Sequence, residues 1–376
     1  MAKERTLFLV DYCLTPSVRI PEAGILCEGK RIIGIGGASA FSLGEDRLKV
    51  IRLPGAYAMP GFIDSHVHAD GIFTSDSPDG RENMDILCKF LASHAVTTFI
   101  PALRTVEKSQ LLARTAALAE LVRKDYGGAY PFGIHLDGPF LNGNVKSSHP
   151  AEFVSAIDLG YARELIAASQ GKLKLLTFAP ELADAEKLIE LLLENGIIPS
   201  IGHSCADEET TLRAVDAGAR RATDMYTVYP PADFRRSSVT DVILTDDRIG
   251  MELIMDGSFL SGRIIELSLR VKPARKVIAI SDSYSSCISC LDFPALDSAW
   301  RNLRFNHPRI PETDACCCLT LNPAEDIGLF SRGELSPGKT ADIVFFRCKD
   351  ESLLATLAAG NFVYSSEHSL SAPESI

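Results

Sequence analysis

Residues 59–68 of the chain read MPGFIDSHVH, a short apolar run that ends in two histidines. Side chains alternate between the two faces of a β-strand, so His66 and His68 are predicted to point the same way. Two imidazoles on one rigid strand supply half of a site for a first-row metal ion. The loop-forming residues 69–71 follow directly, so we expect this strand to open onto a pocket that holds a catalytic metal.

The segment between residues 61 and 280 alternates strand-like and helical runs. Helical spacing places Leu111, Thr115 and Leu118 on one face of a predicted helix, and Gly218 is placed where another helix should stop. Eight strands are the number that a (β/α)8 TIM barrel requires, and polar residues recur where these strands end, which is where a barrel places its chemistry. The predicted strands span residues 61–68, 97–102, 132–136, 173–178, 197–201, 221–226, 251–255 and 277–280.

Both ends of the chain read instead as short strands joined by turns. We predict that the N- and C-terminal segments form one small β-sandwich domain beside the α/β barrel. The predicted boundaries give the small domain residues 1–58 and 335–376, and give the barrel residues 59–334.

Composition excludes some classes of function. The chain has 376 residues, 46% of them hydrophobic, and a formal net charge of −11, so it offers no basic stripe for phosphate backbones. We therefore expect no nucleic acid and no membrane as partner, but a small-molecule substrate. The first residues lack the hydrophobic run of a signal peptide, and no stretch is long and apolar enough to span a bilayer, so a cytoplasmic protein is expected.

The C-terminal tips of the predicted strands carry residue types that bind metals. Each has a simpler explanation when taken alone, since Asp137 suits a turn, His203 a buried position and Asp224 a helix cap. Because all of these residues fall at the ends of consecutive strands, they indicate a shared site. The full set is His66, His68, Asp137, His203, Asp224, Asp256 and Asp282.

Eight strings run in order along most of the chain, at residues 60–64, 135–142, 202–204, 222–226, 255–257, 281–282, 321–324 and 337–339. Together they resemble the amidohydrolase superfamily and, within it, the N-acetylglucosamine-6-phosphate deacetylase family. The resemblance implies a metal-dependent amide hydrolase. Its expected reaction removes the acetyl group from an N-acetylated amino-sugar phosphate, such as N-acetylglucosamine 6-phosphate.

The resemblance also implies the metal ligands. Asp137 stands in the place of the family's metal-binding glutamate, His203 is the next ligand, and Asp224 stands where a histidine is usual. His66 and His68 match the pair found in members that hold a second metal. The implied cofactor is one or two divalent metal ions, Zn first, with Fe or Mn as alternatives. A carboxylate in place of an imidazole adds negative charge and makes the metal's water less acidic.

Catalysis and substrate binding are implied in the same way. Asp282 matches the catalytic aspartate, expected to take a proton from the attacking water and deliver it to the departing amine. Phe259 replaces a substrate-binding histidine, and Thr227 and Val228 replace an Asn-Ala pair. Arg235 matches an arginine that binds the sugar phosphate, a role suited to guanidinium. The resemblance implies a homodimer in which this residue reaches across to the partner's site. The implied substrate-binding positions are Ser148, His149, Thr227, Val228, Arg235, Asp256 and Phe259.

Two alternatives stay open from the sequence. One keeps the barrel and metal but changes the substrate, as in a dipeptidase, an N-acyl-amino-acid deacylase or a deaminase. The other is a catalytically silent relative that binds a ligand or a partner protein, which Asp224 suggests and the presence of Asp282 argues against.

Two cysteine motifs and one pair of arginines lie outside this proposed site. The spacing of Cys287 and Cys290 is that of a redox or zinc pair. Residues 316–318 are three consecutive cysteines, for which a shared zinc is disfavoured because adjacent side chains on a helix point in different directions. Arg220 and Arg221 are interpreted as an ordinary solvated surface.

Overall fold

A computed structural model describes residues 5–42, 48–73, 80–145, 149–231, 233, 235–284 and 293–366. The described residues form a parallel sheet surrounded by helices and a second, smaller sheet. The parallel sheet contains β5 (Phe62–His68), β6 (Val96–Arg104), β7 (Tyr130–Pro131), β8 (Ile134–Asp137), β9 (Leu173–Phe178), β10 (Ile198–Ile201), β11 (Arg221–Ala222), β12 (Gly250–Ile254) and β13 (Val277–Ile280). All eight predicted barrel strands are therefore present.

The parallel sheet closes on itself as a barrel. Its strands follow the order β5-β6-β8-β9-β10-β11-β12-β13, and β7 pairs with β6. Beyond the end of β13, the Asp282 N–H donates to the His66 carbonyl at 3.0 Å, and the His68 N–H donates to the Ser283 carbonyl at 2.9 Å. These two bonds join the last strand to the first, which confirms the predicted (β/α)8 architecture.

Helices follow most of the strands. The predicted helix face is confirmed, since Leu111, Thr115 and Leu118 are buried against the barrel. Gly218 ends a helix in a left-handed conformation with φ of 117°, which glycine adopts at little cost. The helices are α1 (Arg81–Ala92), α2 (Lys108–Leu121), α3 (Leu159–Ala168), α4 (Ala185–Glu194), α5 (Glu208–Ala217), α6 (Val239–Thr245), α7 (Gly262–Val271), α8 (Leu296–Asn306), α9 (Glu312–Leu319) and α10 (Leu321–Asp326), with 3₁₀ turns at Ala38–Ala40, Asp70–Ile72 and Ala274–Lys276.

Both ends of the chain contribute to the smaller sheet, as predicted. Its seven strands have the order β16-β15-β14-β4-β1-β2-β3, and only the β1–β4 pair among them is parallel. The strands are β1 (Arg5–Leu14), β2 (Arg19–Glu28), β3 (Arg31–Gly37), β4 (Leu48–Pro60), β14 (Ile343–Arg347), β15 (Leu353–Ala358) and β16 (Asn361–Ser365).

The smaller sheet curls around its own core. Phe8 on β1 and Phe362 on β16 lie four strands apart in the sheet order, yet their ring centroids are 6.1 Å apart. Four flat inter-strand spacings would span about 19 Å, so the sheet folds over as the layers of a sandwich do. The domain division that we propose stays residues 1–58 with 335–376, and 59–334, with β4 continuing two residues past the boundary to Pro60, which pairs with Ile343 of β14.

An aromatic cluster fixes the first barrel strand against the smaller sheet. The ring of Phe62 on β5 lies 5.9 Å from Phe346 on β14 and 6.4 Å from Trp300 on α8. All three side chains are fully buried, and each contributes roughly 1.5–3 kcal/mol through the hydrophobic effect. The strand that carries His66 and His68 therefore packs against both α8 and β14 of the smaller sheet.

The three consecutive cysteines do not converge, as predicted. The thiol of Cys316 lies 3.7 Å from the Thr320 hydroxyl, that of Cys317 3.3 Å from the Pro16 carbonyl, and that of Cys318 3.9 Å from the Ala274 carbonyl. Cys287 and Cys290 lie outside the described residues.

Among the described residues, no helix has the length and apolar character needed to cross a membrane.

Candidate active site

The carboxyl end of β5 brings the two predicted histidines to one carboxylate. Asp282 Oδ1 lies 3.0 Å from His68 Nε2 and 3.5 Å from His66 Nε2. His66 is fully buried and His68 is 7% exposed. Their positions two residues apart on one strand produce this convergence, as the alternation of side chains predicts.

A second group forms around Asp137 at the end of β8. Asp137 Oδ2 lies 2.9 Å from His149 Nε2, and Asp137 Oδ1 lies 3.4 Å from His203 Nε2. The Thr105 N–H donates to His149 Nδ1 at 3.2 Å. Since an N–H can only donate, the neutral His149 ring carries its proton on Nε2 and donates it to Asp137.

A third group links Asp224 to the first histidine. His66 Nδ1 lies 3.0 Å from Glu252 Oε2 and 3.8 Å from Asp224 Oδ1. The Asp224 N–H also donates to Glu252 Oε2, at 3.2 Å. The Asp224 carboxylate and N–H therefore face His66 on β5 and Glu252 on β12.

Several ligand atoms in these groups are buried but have no hydrogen-bond partner among the described residues. A buried polar atom without a partner costs about 1–3 kcal/mol, so such atoms are rare unless something binds them. Imidazole nitrogens and carboxylate oxygens are the donors that zinc and related divalent ions accept. The residues therefore fit a divalent cation. The atoms are His66 Nε2, Asp137 Oδ1, His203 Nε2, Asp224 Oδ1 and Asp282 Oδ1.

Charge in the site is also consistent with a cation. Burial, followed by the nearby Asp282 carboxylate, raises the pKa of Asp224 well above its usual value. Burial would also raise the pKa of Asp137, but His203 and His149 lower it well below the usual value. A bound cation would offset the repulsion among the carboxylates at the barrel mouth.

Three of the proposed site residues have unusual backbone conformations. His203, Asp224 and Asp282 have φ values of 49°, 45° and 47°. Residues other than glycine adopt this left-handed region at a cost of order 1–3 kcal/mol, which is concentrated at functional sites. Each of the three residues lies two positions beyond the end of its strand, β10, β11 or β13.

Two charged residues that support the site were missed by sequence reasoning. Arg221 is fully buried, so its interpretation as a solvated surface residue is wrong. Its Nε donates to Glu252 Oε1 at 2.7 Å, its Nη2 donates to the Ser65 hydroxyl at 2.6 Å, and its Nη1 pairs with Asp326. The available signal was a charged residue within each of two neighbouring strands, β11 and β12, since such residues are rarely buried unless paired.

The predicted substrate-binding residues are more dispersed. His149 belongs to the Asp137 group, and Ser148 lies outside the described residues. The Thr227 hydroxyl donates to the Asp224 carbonyl at 2.9 Å, and Val228 beside it is buried. Arg235 is exposed.

Two further predicted positions follow β12. Asp256 takes part in none of the three groups, and its carboxylate accepts hydrogen bonds from the backbone and hydroxyl of Ser258. Phe259 is 66% exposed. The structure thus brings the predicted metal and catalytic residues together more closely than the predicted substrate residues.

A cavity of about 340 Å³ adjoins the His68 side of the site. Asp70 lines it and lies 3.6 Å from His68 Nδ1, and Arg104 and Arg114 lie beside Asp70 at 3.4 and 3.7 Å. The volume suits a small ligand.

No family model matches the chain. The chain is 27% identical to the N-acetylglucosamine-6-phosphate deacetylase of Bacillus subtilis, over 94% of this chain and 99% of that protein. It is 26% identical to the N-acetylgalactosamine-6-phosphate deacetylase of Escherichia coli O157:H7, over 76% of this chain and 82% of the relative. Among solved structures, that of N-acetyl-D-glucosamine-6-phosphate deacetylase from Mycobacterium smegmatis superposes with a TM-score of 0.84 at 25% identity, covering 96% of this chain and all of that chain.

Proposed function

The chain belongs to the amidohydrolase superfamily and to its N-acetylglucosamine-6-phosphate deacetylase family, and we propose that it releases acetate from an N-acetylhexosamine 6-phosphate. The observation that carries this proposal is the set of buried imidazole and carboxylate groups, with unsatisfied ligand atoms, at one mouth of the barrel. The relatives support this substrate class over a dipeptidase, an N-acyl-amino-acid deacylase or a deaminase.

We propose that one or two divalent ions, preferably zinc rather than iron or manganese, are held by the predicted ligands. A bound ion supplies a more acidic water and polarises the amide carbonyl. The protein's part is to hold imidazole nitrogens and carboxylate oxygens in position around it. The proposed ligands are His66, His68, Asp137, His203 and Asp224.

Asp282 is proposed as the general base and acid. Its side chain is 24% exposed, whereas those of His66 and His68 are 0% and 6% exposed, so this carboxylate reaches the open side of the site. There it would accept a proton from the attacking water and return it to the amine nitrogen as the amide bond breaks. The Nε2 atoms of both imidazoles lie within 3.5 Å of this carboxylate, so an ion held by His66 and His68 would lie beside it.

His149 is proposed as a substrate contact, although it also bonds Asp137. The bond from the Thr105 N–H fixes the ring, which lies beside Asp137 and His203. The exposed Arg235 is proposed to bind the sugar phosphate, in its own site or in that of the partner subunit of a homodimer. A cytoplasmic location, as expected from the sequence, belongs to the same proposal.

The test is acetate release from a panel of substrates with zinc, iron or manganese supplied. N-acetylglucosamine 6-phosphate and N-acetylgalactosamine 6-phosphate should be hydrolysed, and N-acetylglucosamine without phosphate should react more slowly. The Asp282→Asn protein serves as the blank. Hydrolysis of N-acetyl amino acids in place of both sugar phosphates would overturn the proposed substrate class.

A further inference from the structure

A second polar cavity lies at the opposite end of the barrel from the candidate active site. Its volume is about 480 Å³. It is lined by residues at the amino ends of consecutive strands, including Lys174 on β9, Ile198 on β10 and Gly250 on β12, and by the end of α10. The candidate active site occupies the carboxyl ends of the same strands, so the two sites are separated by the length of the barrel.

The lining of this basal cavity is strongly cationic. The chain as a whole has a net charge of −11, so a local excess of positive charge requires an explanation. The ionisable side chains that line the cavity are Lys174, Arg220, Arg248, Arg275, Lys276, Glu325 and Asp326.

Most of this positive charge is not neutralised by the protein. Arg248 is paired, since its Nη1 lies 2.7 Å from Asp216 Oδ1 and its Nε donates to Asp246 Oδ1 at 2.9 Å. Asp326 is likewise paired with the buried Arg221. These pairs account for one cation and one carboxylate of the lining.

The other four cations face a single carboxylate, Glu325. Within the described ranges, the side chains of Arg220, Arg275 and Lys276 take part in no hydrogen bond or ion pair. Lys174 packs over the ring of Phe132, at 5.2 Å from its centroid, a contact that leaves its ammonium charge uncompensated. Like charges that share a concave surface repel one another and focus a positive potential into it.

Space for a ligand is also present. Gly196 and Gly328 line the cavity, and nothing lies within 4 Å of the position a Cβ would take at either residue. A cavity of this volume accommodates a small molecule, and its concave shape differs from the flat surface that a nucleic acid or a membrane would need.

We propose that the basal cavity binds a phosphate-bearing small molecule. Guanidinium groups bind phosphate oxygens through paired N–H donors, and ammonium groups add point charges, so Arg220, Arg275, Lys174 and Lys276 suit a phosphate or diphosphate group. The proposal does not depend on the deacetylase activity.

The test uses pyrophosphate as probe on the full-length, metal-loaded protein. Acetylation of individual lysines by an amine-reactive ester is followed by mass spectrometry with and without pyrophosphate. At tenfold the dissociation constant, occupancy of about 90% should slow acetylation of Lys174 and Lys276 about tenfold. Lys187, on the exposed surface of α4, is the internal control and should keep its rate.

A double variant locates the site. Arg220→Met with Arg275→Met should raise the pyrophosphate concentration needed for half-maximal lysine protection at least about tenfold, since each lost charge-assisted bond is expected to contribute that much to affinity. The control replaces two exposed arginines on α7, Arg263→Met with Arg270→Met, and should leave protection of Lys174 and Lys276 unchanged.

Arg220→Lys with Arg275→Lys should fold equally well and retain part of the binding. The proposal would be overturned if pyrophosphate protected Lys187 as strongly as Lys174 and Lys276. It would also be overturned if the protection of Lys174 and Lys276 were unchanged in a folded Arg220→Met, Arg275→Met protein.

Discussion

Glu252 is the position where one substitution most directly tests how the barrel supports the metal groups. Its carboxylate accepts from Arg221 Nε at 2.7 Å and, through its second oxygen, from the Asp224 N–H at 3.2 Å, and it lies 3.0 Å from His66 Nδ1. Although burial opposes it, the Arg221 and His66 charges lower the pKa of Glu252, so the group is a carboxylate that only accepts. A proton on His66 Nδ1 therefore points at Glu252 and leaves Nε2 free to bind a metal.

Glu252→Gln changes one acceptor oxygen into an NH2 group. The remaining oxygen is held by Arg221, so the NH2 group takes the place of Oε2. It can no longer accept from the Asp224 N–H, and it requires His66 Nδ1 to accept instead of donate. The proton then moves to Nε2, the atom that should bind the metal. Loss of such a supporting bond typically weakens metal binding 10–100-fold, which corresponds to about 1.4–2.7 kcal/mol.

The assay is zinc competition against a chelator of known affinity, read for both proteins by metal analysis. Asp326→Asn is the matched control, because Asp326 also pairs with Arg221 but does not contact His66. The control should lower the free energy of unfolding and leave zinc affinity within about twofold. Wild-type zinc affinity in Glu252→Gln, or an equal loss in both variants, would refute the proposed role of Glu252.

Three further predictions concern catalysis, packing and pH. Asp282→Asn should lower kcat by about 10²–10⁴, as expected for loss of a general base, while metal analysis still finds the ion bound; full activity would contradict the role. Gly202→Ala would place a Cβ 2.6 Å from Thr177 Cγ2 in the barrel interior and should cost about 1–3 kcal/mol in urea unfolding, whereas Gly36→Ala, with nothing within 4 Å, should cost far less. Burial lowers the pKa of Lys272 to about 8, although Asp247 and Asp246 oppose the shift, so the unfolded chain binds more protons than the folded protein between pH 8 and about 10.4. The free energy of unfolding should therefore gain a contribution that rises with pH across this interval, and Lys272→Met should remove it; identical pH profiles would contradict it.

Local patterns in the sequence were sufficient to predict the barrel. Strand and helix periodicity depend on neighbouring residues, so the eight strands and the buried face of α2 follow from the chain itself. The convergence of His66 and His68 follows from the same alternation. The pairing of both chain ends in one sheet could be expected because neither end carried the barrel's repeating pattern.

The composition of each ligand group was decided only by the closed barrel. His66 and Glu252 are 186 residues apart in the chain, and no local pattern states that their side chains meet. The same holds for Arg221, which reads as a surface residue until β11 and β12 place it beside Glu252 in the interior. Distances of 3 Å between side chains depend on strand order, register and closure together, since these set which strand ends face one another. The sequence thus determined which kinds of groups line the mouth of the barrel, and the tertiary structure decided which of them act together.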